Sequence, residues 1–217
     1  MKIAVLGATG PTGQEVVKQA LEQGHTVTAL VRDPDKMASQ VQHDNLQIQK
    51  VDLSKEEDLV GPMKGVDAVL SSLGSRAGIW TPCSLYTDSI VTITGAMRKG
   101  GVNRLICVTS WGSKDEPGLP WIISWFLKPT FLRNILANMG EMEDYMQEKC
   151  TDINYTVVRP PGLSNQPSCG KDVRTREGQF VEDVPGRIPR ADLAKFMLSC
   201  LSTDKYDRKM VAVGVEK

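Results

Sequence analysis

A short apolar run, Ile3-Ala4-Val5-Leu6, is followed at once by Gly7, Gly10 and Gly13 in the order G-x-x-G-x-x-G, and then by Val16, Val17, Ala20 and Leu21 at helical spacing. Little else fits this pattern but a buried strand turning sharply into an amphipathic helix, the opening unit of a parallel sheet. Each glycine has a job there: Gly7 makes the tight turn, Gly10 lets backbone approach a pyrophosphate, and Gly13 lets helix pack on strand. The helix start then offers unpaired N–H groups and the positive end of its dipole to phosphate. Thr9 and Thr12 add hydroxyl donors, and Pro11 costs little where its missing N–H has no intrahelical partner. A glycine-rich turn with no ligand is the competing reading, and the strand before and helix after argue against it.

The following runs continue the same fold, an α/β chain with one Rossmann-type, doubly wound parallel sheet and helices on both faces. Thr26–Val31 reads as the second strand. Arg32 and Asp33 follow its carboxyl end, where such a sheet meets the adenosine ribose. Arg32 offers a permanently charged, planar donor to the 2′-phosphate of NADPH, whereas Asp33 retains the capacity to accept from a ribose hydroxyl; the competing reading of Arg32 is a solvated surface charge. Leu46 to Val51 reads as the third strand, with Asp52 and Leu53 placed to meet adenine; Asp52 is also suited to cap a helix starting near Ser54. The fourth, Ala68 to Leu73, runs into Gly74, where backbone can pass close to a dinucleotide, and Arg76, a phosphate ligand or an ordinary loop arginine.

Asp88 to Lys99 reads as a helix with Ile90, Val91, Ile93, Thr94 and Met97 inward, ended by Gly100-Gly101. Arg104 to Thr109 is expected as the fifth strand. Ser110 stands just past its carboxyl end, the edge where open parallel sheets bind ligands, and so is the best candidate to touch the nicotinamide or the reacting carbonyl. Trp111 beside it is expected to stack on a flat ligand. Trp121 and Trp125, in the apolar stretch Trp121 to Leu136, are expected on a helix packed against the sheet or a partner subunit, with a lid as the alternative. Glu141 to Lys149 reads as a helix and Tyr155 to Arg159 as a sixth strand, ending in Pro160-Pro161. Short strands are expected at Asp172 to Arg176 and Gln179 to Val181, then a helix over Ala191 to Leu201 and a closing strand over Met210 to Val213.

Composition removes several function classes. The chain has 217 residues, with 26 Lys plus Arg against 26 Asp plus Glu, so no overall basic field argues for nucleic acid and one domain over 1–217 is expected. The substrate-side segments fall at about 111–138 and 162–187. Five scattered cysteines without C-x-x-C fit free thiols in the cytosol, and two histidines, His25 and His43, give little with which to build a zinc site or a His-based triad, so no metal is expected. With a strand starting at residue 2 no leader is expected, and the most apolar stretch, Trp121 to Leu127, falls short of the ~20 residues a bilayer needs, so no membrane span is expected.

GATGPTG at 7–13, LVRD at 30–33, LGSR at 73–76, VTS at 108–110, YTVVRPPGL at 155–163 and IPRADLAKFMLSCLSTDKYD at 188–207 together resemble the atypical short-chain dehydrogenases, and more closely the NmrA-like, NADPH-dependent flavin reductase or biliverdin-IXβ reductase family. The resemblance runs end to end. It implies a single Rossmann domain, a monomer with a dimer as the alternative, and NADPH laid across the sheet. It also implies phosphate contacts from Arg32 and Arg76, cofactor contacts along Leu73, Gly74, Thr109 and Pro161, and the nicotinamide near Ser110. Implied substrates are FMN, FAD, biliverdin and other flat redox dyes. The sequence departs from the mammalian pattern in a longer Trp121 to Asn138 segment and in Gly162, where that pattern has histidine.

Tyr145 and Lys149 spell the Y-x-x-x-K of typical short-chain dehydrogenases. In those enzymes the pair is expected early in its helix, well before the end of the following strand, so that it faces the nicotinamide; here it falls in the last turn, close to the strand ending at Arg159, and reads as surface residues at helical spacing. A missing proton donor is chemically acceptable: hydride delivered to flavin N5 or a tetrapyrrole methine leaves charge spread over the ring, and water can protonate it later. The competing class, a non-enzymatic NADP(H)-binding sensor or scaffold, also lacks such a donor, and a quinone or ketone reductase using Tyr145 is the third reading.

Overall fold

The apolar runs assemble as expected into one large sheet. In a computed structural model, which describes residues 1–75, 81–130 and 132–216, the alternation begins β1 (Lys2–Leu6), α1 (Pro11–Glu22), β2 (Thr26–Val31), α2 (Pro34–Gln40), β3 (Leu46–Lys50), α3 (Glu56–Met63) and β4 (Ala68–Ser71). It continues through α4 (Leu85–Gly100), β5 (Arg104–Val108), α5 (Arg133–Lys149), β6 (Asn154–Arg159), β7 (Gly162–Ser164), β8 (Val173–Glu177), β9 (Arg187–Pro189), α6 (Arg190–Ser199) and β10 (Lys209–Val215). The sheet order is β3-β2-β1-β4-β5-β6-β10-β8, and β7 pairs with β9 in a small second sheet. The chain runs outward from β1 through β2 to β3, then returns to the other side of β1 for β4. That reversal opens a crevice at the carboxyl ends of β1 and β4, the place where open α/β sheets bind ligands.

Side-chain alternation sorts the core into two layers. Ile3 and Val5 pack with Val16, Val17 and Ala20 of α1 and with Leu193 and Met197 of α6. Ala4 and Leu6 point the other way, onto Leu59 and Met63 of α3, Ile90, Ile93 and Met97 of α4, and Met142 and Met146 of α5. Fully burying each large apolar side chain stabilises by about 1.5–3 kcal/mol, so strands buried on both faces read as unbroken apolar runs. Helix α4 ends where expected, on Gly101 with φ of 73°.

Several expectations need correction. The sheet is not wholly parallel, because β8 runs antiparallel to β10 at its edge. Val91 is 46% exposed; one residue is about 100° of helix from Ile90, enough to leave the buried stripe. Helix α5 begins at Arg133, earlier than Glu141. Gln179 to Val181 forms no strand; Phe180 and Val181 instead build a third small core with Trp111 and Ala212. All five cysteines are free, and burial pushes the Cys200 thiol up to about 11, which marks it as a packing group. Among the described residues no helix is long and apolar enough to cross a membrane, and no cluster of His, Cys, Asp or Glu could hold a metal.

Candidate functional site

The glycine loop occupies the crevice. Gly7 has φ of 75°, and a Cβ there would come 2.7 Å from the Ser72 carbonyl oxygen, so the turn needs both glycine's conformational freedom and its missing side chain. Gly10 closes the turn by donating its N–H to Gly7 O at 2.9 Å and stands as N-cap of α1, with Pro11 in the first helical position. A Cβ on Gly13 would lie 2.2 Å from Gly7 O, which means α1 rests directly on the loop backbone. The N–H groups of Thr12 and Gly13, in the first helical turn, have no preceding intrahelical carbonyl to serve and face the anion position. This is a cradle that side chains would fill, and it fits the pyrophosphate of a dinucleotide.

Around it the expected cofactor residues fall at strand ends. Arg32 is exposed immediately beyond β2. Asp33, its neighbour, accepts the Lys36 N–H at 3.1 Å and N-caps α2, so one carboxylate oxygen is engaged by the helix. Asp52 accepts from Ser54 N–H at 3.0 Å and Ser54 Oγ at 2.8 Å, and these hydrogen bonds hold its carboxyl below the ordinary range. It therefore makes an Asx turn ahead of α3, whose N-cap is Lys55, and the expected capping role is corrected. Leu53 and Leu73 are half-buried on the α3 and α4 layer, and Gly74 is exposed. A cleft of about 450 Å³ opens between Leu53 and Ser54 after β3, Ser75 after β4, and Cys83 and Ser84 before α4. Arg76 lies outside the described residues.

At the far end, β5 continues beside β6 beyond its last ladder residue: Thr109 N–H reaches Val158 O and Trp111 N–H reaches Pro160 O, each at 2.9 Å. Leu105 and Cys107 face α5 while Ile106 and Val108 face α1 and α6. The same alternation puts Thr109 on the α5 side and the half-buried Ser110 on the side of α1 and the glycine loop. Thr109 donates its hydroxyl to Glu143 at 2.7 Å and is 3% exposed, so its side chain turns away from the crevice. Pro161 is buried.

Trp111 is not a stacking surface. It is 3% exposed, meets Phe180 edge-on at 6.3 Å between centroids, and is covered by Leu119 and Ile123. Trp121 and Trp125 are 70% and 82% exposed and so do not pack on the sheet, whereas the partner-subunit contact also expected of them calls for such exposure. Residues Ile122–Leu127 form a π-helical turn whose inward contact is Ile123, leaving an aromatic ridge beside the carboxyl edge.

Glu143 and Arg159 were not anticipated. The carboxylate is fully buried and takes Arg159 Nε at 2.9 Å and Nη2 at 2.8 Å, together with the hydroxyls of Thr109 and Ser113. Removing one member of such a buried pair typically costs about 3–5 kcal/mol. The sequence did carry a signal: Glu143 sits on the apolar stripe formed by Met139 and Met146, and Arg159 follows the apolar Val157-Val158 at the end of its strand. Two charges in buried phase require each other.

Tyr145 lies elsewhere. Its hydroxyl is 3.4 Å from Thr94 Oγ1 on α4, and Lys149 is exposed, its carbonyl accepting from Arg98. A larger hollow, about 520 Å³, sits at the opposite edge around Arg104, Asn154 and Asp207. Arg104, the half-buried cation lining it, already serves Cys200 O at 2.7 Å and Asn154 O at 3.1 Å, which leaves the crevice as the candidate site.

Comparison with known proteins gives the family and the fold. The family described as NAD(P)H-binding matches residues 7–204. A chloroplastic protein of Arabidopsis thaliana is 32% identical over 220 residues, covering 98% of this chain and 76% of the relative. A short-chain dehydrogenase/reductase of Veillonella parvula, solved in complex with NADP, has a TM-score of 0.79 at 17% identity, covering 98% of this chain and 94% of that one. A Streptococcus pneumoniae protein described as a candidate NADH-flavin reductase has a TM-score of 0.74 at 23% identity, with both chains covered in full (100%). At these identities the two solved structures speak for the fold.

Proposed function

The chain belongs to the NAD(P)H-binding family, and on that premise we propose that it is an NADPH-dependent reductase that passes hydride to flavins such as FMN and FAD and to biliverdin-like tetrapyrroles. When bound, NADPH supplies the hydride at its nicotinamide ring. The chain's own residues bind and orient. The N–H groups of Thr12 and Gly13 and the α1 dipole hold the pyrophosphate. Arg32 receives the 2′-phosphate, Leu53 and the cleft beside it take the adenine, and Ser110 orients the nicotinamide end. Trp121 and Trp125 offer flat, exposed surfaces on which a conjugated acceptor can stack.

The observation that carries this reading is the place of Tyr145, bonded toward Thr94 on α4 rather than toward Ser110. Ketone reduction makes an alkoxide and calls for an acid beside it. Flavins and tetrapyrroles delocalise the incoming charge, so proximity and stacking suffice. The test is NADPH oxidation with FMN, FAD, biliverdin and a quinone offered in turn. Turnover with flavin or biliverdin supports the reading, whereas tight NADPH binding with no turnover of any acceptor would make the protein a sensor.

A further inference from the structure

We propose that Glu143 and Arg159 form a buried positioning pair that fixes Ser110 against the nicotinamide end of the cofactor, an inference that rests on the reductase reading above. The carboxylate of Glu143 grips the chain on both sides of Ser110: Thr109 Oγ1 donates to it at 2.7 Å, and Ser113 Oγ lies 2.9–3.0 Å from its two oxygens. Ser113 has one hydroxyl proton, for the carboxylate or for Gln179 Oε1 at 3.0 Å, which also accepts the Lys114 N–H at 3.0 Å. Arg159 holds the carboxylate in a two-pronged grip and anchors its remaining arm on Gly178 O at 3.0 Å. The approach of α5 to this turn depends on Gly140, where a Cβ would stand 2.9 Å from Ser113 O.

The turn from Thr109 to Ser113 is thereby tied to α5, to the end of β6 and to the segment after β8. Thr109, Trp111 and Ser113 are all buried, while Ser110 between them stays half-exposed. A core needing only cohesion is served as well or better by apolar side chains, because a buried ion pair carries a large desolvation cost. What directional bonds add is a fixed height and rotation for the residue they flank.

Two variants test this. Thr109→Val keeps shape and removes one tether. The double variant Glu143→Leu/Arg159→Met replaces the pair with apolar volume, and a merely cohesive role predicts that it folds and works like the parent. Positioning predicts that both variants bind NADPH within threefold of the parent while kcat falls about tenfold or more, since small misplacements near the reacting atoms are costly. Parent kcat in the folded double variant, or in Thr109→Val should the double not fold, overturns the proposal. If the parent reduces no acceptor, the reductase reading fails separately. NADP⁺ proton shifts then decide: positioning predicts that Thr109→Val moves the nicotinamide resonances and leaves the adenine ones in place, and unmoved nicotinamide resonances refute it.

Discussion

Replacing Gly13 by alanine tests the cradle through a single methyl group. That methyl would stand 2.2 Å from Gly7 O, 2.7 Å from Gly7 C and 2.8 Å from Ala8 Cα. All three are backbone atoms, so no side chain can rotate out of the way, and α1 must lift by about 1 Å to restore van der Waals contact. Overpacking of this kind costs about 1–3 kcal/mol, against about 1 kcal/mol gained from alanine's helix propensity, leaving a net loss of up to about 2 kcal/mol. Lifting the helix also withdraws N–H donors from the pyrophosphate. Each charge-assisted bond is worth about 1.5–3 kcal/mol, or about 10- to 100-fold in Kd. Gly186, with nothing within 4 Å of a Cβ and no left-handed φ, is the control; Gly186→Ala should be neutral or stabilising by up to about 1 kcal/mol. Urea midpoints and NADPH fluorescence titrations give both quantities. A Gly13→Ala protein with the parent midpoint and an NADPH Kd within threefold of the parent would refute the cradle.

Two other substitutions bear on the cofactor and the proton donor. Arg32→Ala should weaken NADPH about 10- to 100-fold while leaving NADH within about twofold, because the missing charge faces a phosphate that NADH lacks; titration with both cofactors checks it, and equal losses would remove the 2′-phosphate role. Tyr145→Phe deletes a contact to Thr94 at 3.4 Å and a hydrogen bond with Arg98, both residues of α4, so steady-state rates should stay within about twofold, whereas a loss of about 100-fold or more would mark the tyrosine as a general acid.

The cofactor end was legible because its determinants are local. Strand, three glycines and helix are consecutive in the chain, and the same local sterics dictate their geometry whatever packs around them. β2 was found residue for residue for the same reason, as a short β-branched run bounded by Gly24 and Arg32. The substrate end depends on contacts between distant segments. Trp111 looked like a stacking group beside a strand end, and only the arrival of Phe180 after β8 converts it into core. Trp121 and Trp125 were expected against the sheet or a partner subunit, and of these the sheet contact falls to Ile123, which the π-helical turn presents inward instead. Glu143 and Arg159 each left a trace as a charge in buried phase, but pairing them required knowing how α5 packs across the end of β6, which the sequence pattern does not give.

The central claim is that hydride passes from NADPH bound across this crevice to a flat acceptor. Its most direct measurement is anaerobic single-turnover reduction of FMN by NADPH deuterated at each face of the nicotinamide C4 in turn. The account predicts a primary isotope effect with one face and none with the other, since a fixed nicotinamide presents a single hydrogen. Flavin that stays oxidised beside saturating bound NADPH, or equal rates with both deuterated forms and unlabelled NADPH, would contradict it.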